Sequence, residues 1–106
     1  MPTTTPVFMD AVWINFDPVE TDSPAQNLYD PLSGATASSE GMSRICVDRH
    51  GGQAAGDAPR NVPPGAMLPG GINMGFVDGH AELAKLQNLW NYSWHLDWVT
   101  PAVRPP

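Results

Sequence analysis

The residues best suited to chemistry are two Asp-x-His pairs, Asp48-x-His50 and Asp78-x-His80. On an extended strand, residues two apart share a face, so each pair presents a carboxylate and an imidazole together. If the two pairs converge, Asp48, His50, Asp78 and His80 form a donor set for a divalent metal. The carboxylates with backbone carbonyls would suit calcium, which takes oxygen ligands. A competing reading is structural. Asp78 then caps a turn through its own backbone, Arg44 or Arg49 pairs with a carboxylate, and the histidines are hydrogen-bonded spacers. Catalysis has weaker support. Ser38, Ser39 and Ser43 sit in no nucleophile elbow, and no strand-to-helix phosphate loop with Gly-Lys-Ser/Thr follows the glycines at 51–56. Glu20, Asp22 and Asp30 read as solvated loop acids, with no spacing that argues for a glycosidase pair. His95, between Trp94 and Leu96, reads as a packed residue at a helix end.

The elements that position these residues follow from pattern. Residues 7–16 are apolar, β-branched and aromatic between Pro6 and Pro18, and predict a strand carrying Trp13. Residues 17–41 hold Asp17-Pro18, Ser23-Pro24 and Asp30-Pro31 and predict a long ordered excursion or surface loop. A second strand is expected over 42–49, with Cys46 as a buried strand thiol. Residues 51–71, rich in Gly, Pro and Ala, make a second loop whose composition does not support a core. Residues 72–77 and 80–86 flank Asp78-Gly79, the pair favoured in a two-residue primed turn, and predict a hairpin. Were strand 42–49 to lie beside 72–77, both Asp-x-His pairs would sit at one end of the sheet. Leu86, Trp90, Trp94 and Trp98 recur every four residues and predict a helix or helical turn. Its tryptophans read as core aromatics, with a sugar-stacking platform as the alternative. The fold class expected is therefore α+β: a small antiparallel sheet of about four strands, a C-terminal Trp-rich helix and two long Pro/Gly-rich loops.

Composition narrows the function classes. The chain of 106 residues carries 12 prolines and 10 glycines, which disfavours a helical bundle. Its net charge is -6 and it has no basic stripe, so a nucleic-acid binder working through phosphate neutralisation is not expected. No apolar run approaches the roughly 20 residues of a membrane span, and the first residues lack a signal peptide's charged and apolar regions. Cys46 is the single cysteine and leaves no intramolecular disulfide. One domain, 1–106, is expected.

The series Arg49-His50-Gly51-Gly52 … Ile72-Asn73-Met74-Gly75-Phe76-Val77-Asp78-Gly79-His80, followed by Leu89-Trp90 … Trp94-His95 … Trp98, resembles the prepilin-type, processing-associated H-X9-DG proteins, a pseudopilin-like family. The motif residues that carry it are Arg49, His50, Asn73, Phe76, Asp78, Gly79 and His80. The family's nine residues between His and Asp-Gly are here 27, Gly51 through Val77, so 18 are inserted. A lengthened surface connection carries only a slowly growing entropy cost. The resemblance implies a non-enzymatic globular head of a type II secretion or type IV pilus-like system, placed outside the cytoplasm. Its partners would be other pseudopilin-like subunits or secretion proteins. It also raises calcium as a cofactor, since major pseudopilins carry such sites. The family's leader and anchoring helix are not in this sequence, so it reads as a C-terminal fragment or a stand-alone relative. A small carbohydrate- or ligand-binding module is the alternative, and a metal-dependent enzyme built on the Asp/His pairs a further one.

Overall fold

A computed structural model describes residues 3–12, 17–31, 41–51 and 54–106. Three strands, β1 (Pro6–Met9), β2 (Gly71–Phe76) and β3 (Ala81–Lys85), form an antiparallel sheet in the order β1-β2-β3. The remaining regular structure among the described residues is three short 3-10 turns at Met42–Arg44, Ala55–Asp57 and Leu86–Asn91. Among the described residues no helix is long and apolar enough to cross a membrane.

β2 is central because its alternation suits a half-buried strand. Ile72, Met74 and Phe76 are buried on one face, while Gly71, Asn73 and Gly75 lie on the other. The first strand is shorter than the pattern 7–16 predicts. Asp10 still donates its N–H to the Asn73 carbonyl at 3.2 Å, but its carboxylate takes the Asn73 N–H at 2.9 Å. The side chain thus replaces the carbonyl that would continue the ladder, and the chain leaves the sheet to donate from Val12 to the Arg44 carbonyl. Trp13 and the rest of that expected strand, 14–16, lie outside the described residues, as do 32–40 of the first loop.

The hairpin lies where the sequence places it, but with a different turn. Phe76 donates to the His80 carbonyl and Gly79 to the Phe76 carbonyl, at 2.9 and 3.0 Å. Among the described residues only glycines have positive φ, Gly79 among them at 92°, so Asp78 does not take the left-handed conformation that a primed Asp-Gly turn requires. The connection is a three-residue loop, Val77–Gly79, with the glycine closing it. Asp78 instead receives the His80 N–H on Oδ1 at 3.1 Å, as Asp does in turns.

Segment 42–49 is not the expected strand. Met42–Arg44 is a 3-10 turn, and the chain then runs through the interior with Ile45, Cys46, Val47 and Asp48 all buried. A strand lying on one sheet would alternate; this run is covered on every side. Leu28 accepts the Asp48 N–H, and residues 26–28 are themselves bonded to Pro59 and Val62. Pairing with β2 is confined to a bridge between His50 and Gly71. Among the described residues the sheet has three strands rather than about four for this reason. Both loops also feed the core, with Pro24, Ala25 and Leu28 buried in the first and Ala58 and Leu68 in the second.

The tryptophan segment also departs from the expected helix. The 3-10 turn ends at Asn91, and Trp94 and Trp98 follow beyond it. An α-helix would send the Ser93 and Trp94 N–H groups to the carbonyls of Leu89 and Trp90. Those carbonyls instead accept the indoles of Trp94 and Trp98, at 2.8 and 3.0 Å. Ser93 donates to the Thr4 carbonyl at 2.8 Å, across to the turn just before β1. Side chains and tertiary partners have taken the bonds that would have propagated the helix. Trp90 lies in the core with Met42, Ile45, Ile72, Met74, Leu86 and Leu89. Its indole donates to the Asp22 carbonyl at 2.9 Å.

Candidate functional site

The two Asp-x-His pairs lie at opposite ends of β2. His50 bridges to Gly71 at its start, whereas Asp78 and His80 form the turn after its end. The six residues of β2 separate the ends, roughly 20 Å of extended chain. The reason is connectivity. A loop running from His50 to Gly71 brings its own two ends together, so His50 meets the beginning of β2. The expectation that both pairs share one end is corrected, and Asp48, His50, Asp78 and His80 do not form a single site. No group of three or more metal-ligating side chains occurs among the described residues.

At the first end the arrangement is built from backbone and glycine. His50 and Gly71 exchange both backbone bonds, at 3.0 and 2.8 Å, and His50 Nε2 lies 3.1 Å from Asp10 Oδ2. Asp10 in turn holds Asn73, so one carboxylate ties the histidine to the exit of β1 and the body of β2. Asp48 is 1% exposed and packs on the bare backbone of Gly70, whose φ is 76°. A Cβ on Gly70 would stand 1.7 Å from Asp48 Oδ1, and one on Gly51 would stand 2.9 Å from the Gly70 Cα. Gly51 and Gly70 therefore serve close approach. Arg49 points outward into a cleft of about 290 Å3 that Tyr29, Asp30 and Asp48 also line.

At the second end His80 is held on both ring nitrogens. Nδ1 is paired with Asp78 Oδ1 and Nε2 lies 3.2 Å from Glu82 Oε2, an arrangement that favours the imidazolium. The ring stacks on Phe76 with centroids 4.3 Å apart and planes 3° from parallel. Tyr92 donates its hydroxyl to Glu82 Oε1 at 2.6 Å and joins the tail to the hairpin. Burial and the Glu82 carboxylate both raise the Tyr92 pKa, so it stays a phenol donor. With both nitrogens engaged, His80 is placed to hold charge rather than to shuttle a proton. Glu82 and Tyr92 were not singled out by sequence, although Asp78, His80 and Glu82 share period-2 spacing that points to one cluster.

Two other expected residues resolve differently. His95 Nε2 lies 2.6 Å from Glu20 Oε1, which also accepts the Val99 N–H, so a loop acid clamps the tryptophan segment. Cys46 is buried though not in a strand, and burial pushes its thiol up to about 12. Burial thus disfavours the thiolate that oxidation and metal binding require.

The Asp78–His80 contact carries a pH signature. The Asp78 carboxylate raises the His80 pKa above 6.5, with Glu82 adding to it, and the His80 ring lowers the Asp78 pKa below 3.8. These are one interaction seen from its two partners. The histidine's contribution is complete below 6.5 and is lost as pH rises through its elevated value. The aspartate's is complete above 3.8 and is lost as pH falls through its depressed value. Hairpin support is therefore greatest between these limits. An NMR titration should show the His80 ring protons changing above pH 6.5, and in an Asp78→Asn chain the midpoint should fall. An unshifted midpoint in the native chain defeats the assignment.

Comparison with family models, with curated proteins and with solved structures found no match for this chain.

Proposed function

We propose that this chain is a non-enzymatic structural or assembly protein, the globular head of a pseudopilin-like subunit working outside the cytoplasm in a type II secretion or type IV pilus-like system. The observation that carries the reading is how the motif residues are used. His50, Asn73, Phe76, Asp78, Gly79 and His80 are occupied in fastening β2 at its two ends, and they do not converge on a space for substrate. A signature spent on architecture fits a family defined by a shared scaffold whose surfaces vary. Phe8, Met67 and Leu96 are 77%, 79% and 98% exposed and offer apolar contact points on such a surface. The tryptophan platform has less support, because Trp90, Trp94 and Trp98 each give their indole N–H to a backbone carbonyl and pack on the core.

A chromosomal copy tagged at its C-terminus tests the proposal. The expected product is larger than 11.4 kDa, sediments with membranes, and cross-links to other pilin-like subunits. A tagged product confined to the cytosolic fraction, with no such adducts, would remove the reading.

A further inference from the structure

The two edges of the sheet differ. β1 opens on Pro6, which has no N–H to offer, and its register is broken between Pro6 and Phe8. β3 is regular along its whole length against β2. The bonds from Phe76 N–H to the His80 carbonyl and from Leu86 N–H to the Gly70 carbonyl set the phase of that ladder. Residues 80, 82, 84 and 86 face β2, and the backbone N–H and C=O groups of Ala81, Leu83 and Lys85 face away. Among the described residues no hydrogen-bonding partner meets them, and all three residues are exposed, Leu83 at 52%.

We propose that the β3 edge is a homodimer interface on which a second copy pairs antiparallel about Leu83, making one six-stranded sheet. Charge selects the partner and the register. β3 runs from a net acidic end, where Asp78 and Glu82 share the single His80 ring, to the chain's single lysine, Lys85, which has no ion-pair partner among the described residues. Antiparallel pairing sets each Lys85 beside the partner's Ala81, toward the partner's acidic turn. Centring on Leu83 uses the outward groups of all three residues and brings leucine against leucine. Centring on Glu82 would oppose two carboxylates, and centring on Ala84 would engage only Leu83 and Lys85. A parallel, in-register pair would stack like charges at both Glu82 and Lys85. The inference stands on this edge alone and is independent of the secretion-system reading.

Sedimentation equilibrium tests it on the whole chain. The mass should approach twice 11.4 kDa near ~1 mM and return to 11.4 kDa when dilute, as a small interface requires. Leu83→Pro removes an outward N–H that β2 does not use, so it should keep the native circular dichroism and lose the dimer. Leu83→Lys should lose the dimer as well, through like charges placed opposite each other. Leu83→Cys should give a disulfide dimer on mild oxidation, since directly paired Cα atoms lie at about 5.5 Å, while Lys85→Cys should not. A monomer throughout the range, a Leu83→Lys chain that dimerises like the native one, or equal cross-linking at 83 and 85 would each overturn the proposal.

Discussion

Replacing Gly70 with alanine is expected to destabilise the fold by about 4 kcal/mol, a large part of a small domain's total stability. Two costs combine. The residue sits at φ 76°, where an L side chain is strained by roughly 1–2 kcal/mol. The added Cβ would also land 1.7 Å from Asp48 Oδ1, and Asp48 is 1% exposed. The carboxylate belongs to a fully buried run, with Ile45, Cys46 and Val47 before it, so shifting it disturbs the packing around it. Displacing this buried polar side chain from its packed position is the larger of the two costs. Gly79→Ala is the control. Its φ of 92° imposes the same class of backbone strain, but nothing lies within 4 Å of the new Cβ. Urea denaturation of the two variants separates close packing from backbone conformation. Equal midpoints would show that the Asp48–Gly70 contact does not constrain the fold.

Trp90→Ala is expected to cost about 4 kcal/mol, within the range for removing a large buried aromatic. Trp90 is 2% exposed and joins Leu86 and Leu89 to the core beneath the sheet. Its loss would also leave two groups without their present partner. The Asp22 carbonyl loses the indole donor, and the Arg104 guanidinium loses the ring it lies over at 5.6 Å. Trp90→Phe keeps most of the volume and removes the donor, and should cost about 1–3 kcal/mol. Chemical denaturation of both variants gives the comparison. A Phe variant as stable as the native chain would mean the Asp22 bond contributes nothing, and a mild Ala variant would mean the core does not depend on this ring.

What could be read from sequence and what could not divides along a physical line. Alternation over 72–77, with Asp78-Gly79 after it, located the hairpin, because a strand on one core shows its period locally. The turn type was misjudged, since Asp78 had a stronger local option in bonding His80 through its own side chain. Residues 42–49 looked like a strand because β-branched and apolar residues fit both a sheet and any fully buried segment. Only the surroundings, Leu28 on one side and Gly71 at the end, distinguish the two. The interval-of-four tryptophans looked helical for a similar reason. The side-chain bonds to Leu89 and Trp90 that replace the helix depend on how the indoles fold back onto the chain.

By itself the sequence determined the central hairpin and the buried character of Cys46 and Trp90. These depend on local period, side-chain volume and turn chemistry. The tertiary structure alone decided that the two Asp-x-His pairs stand at opposite ends of β2. The loop joining His50 to Gly71 closes on a backbone bridge between its own ends, and the strand that follows carries Asp78 and His80 away. Side chains that share a spacing in the chain therefore became two separate fastenings: Asp10 with His50 at one end, and Asp78, His80, Glu82 and Tyr92 at the other.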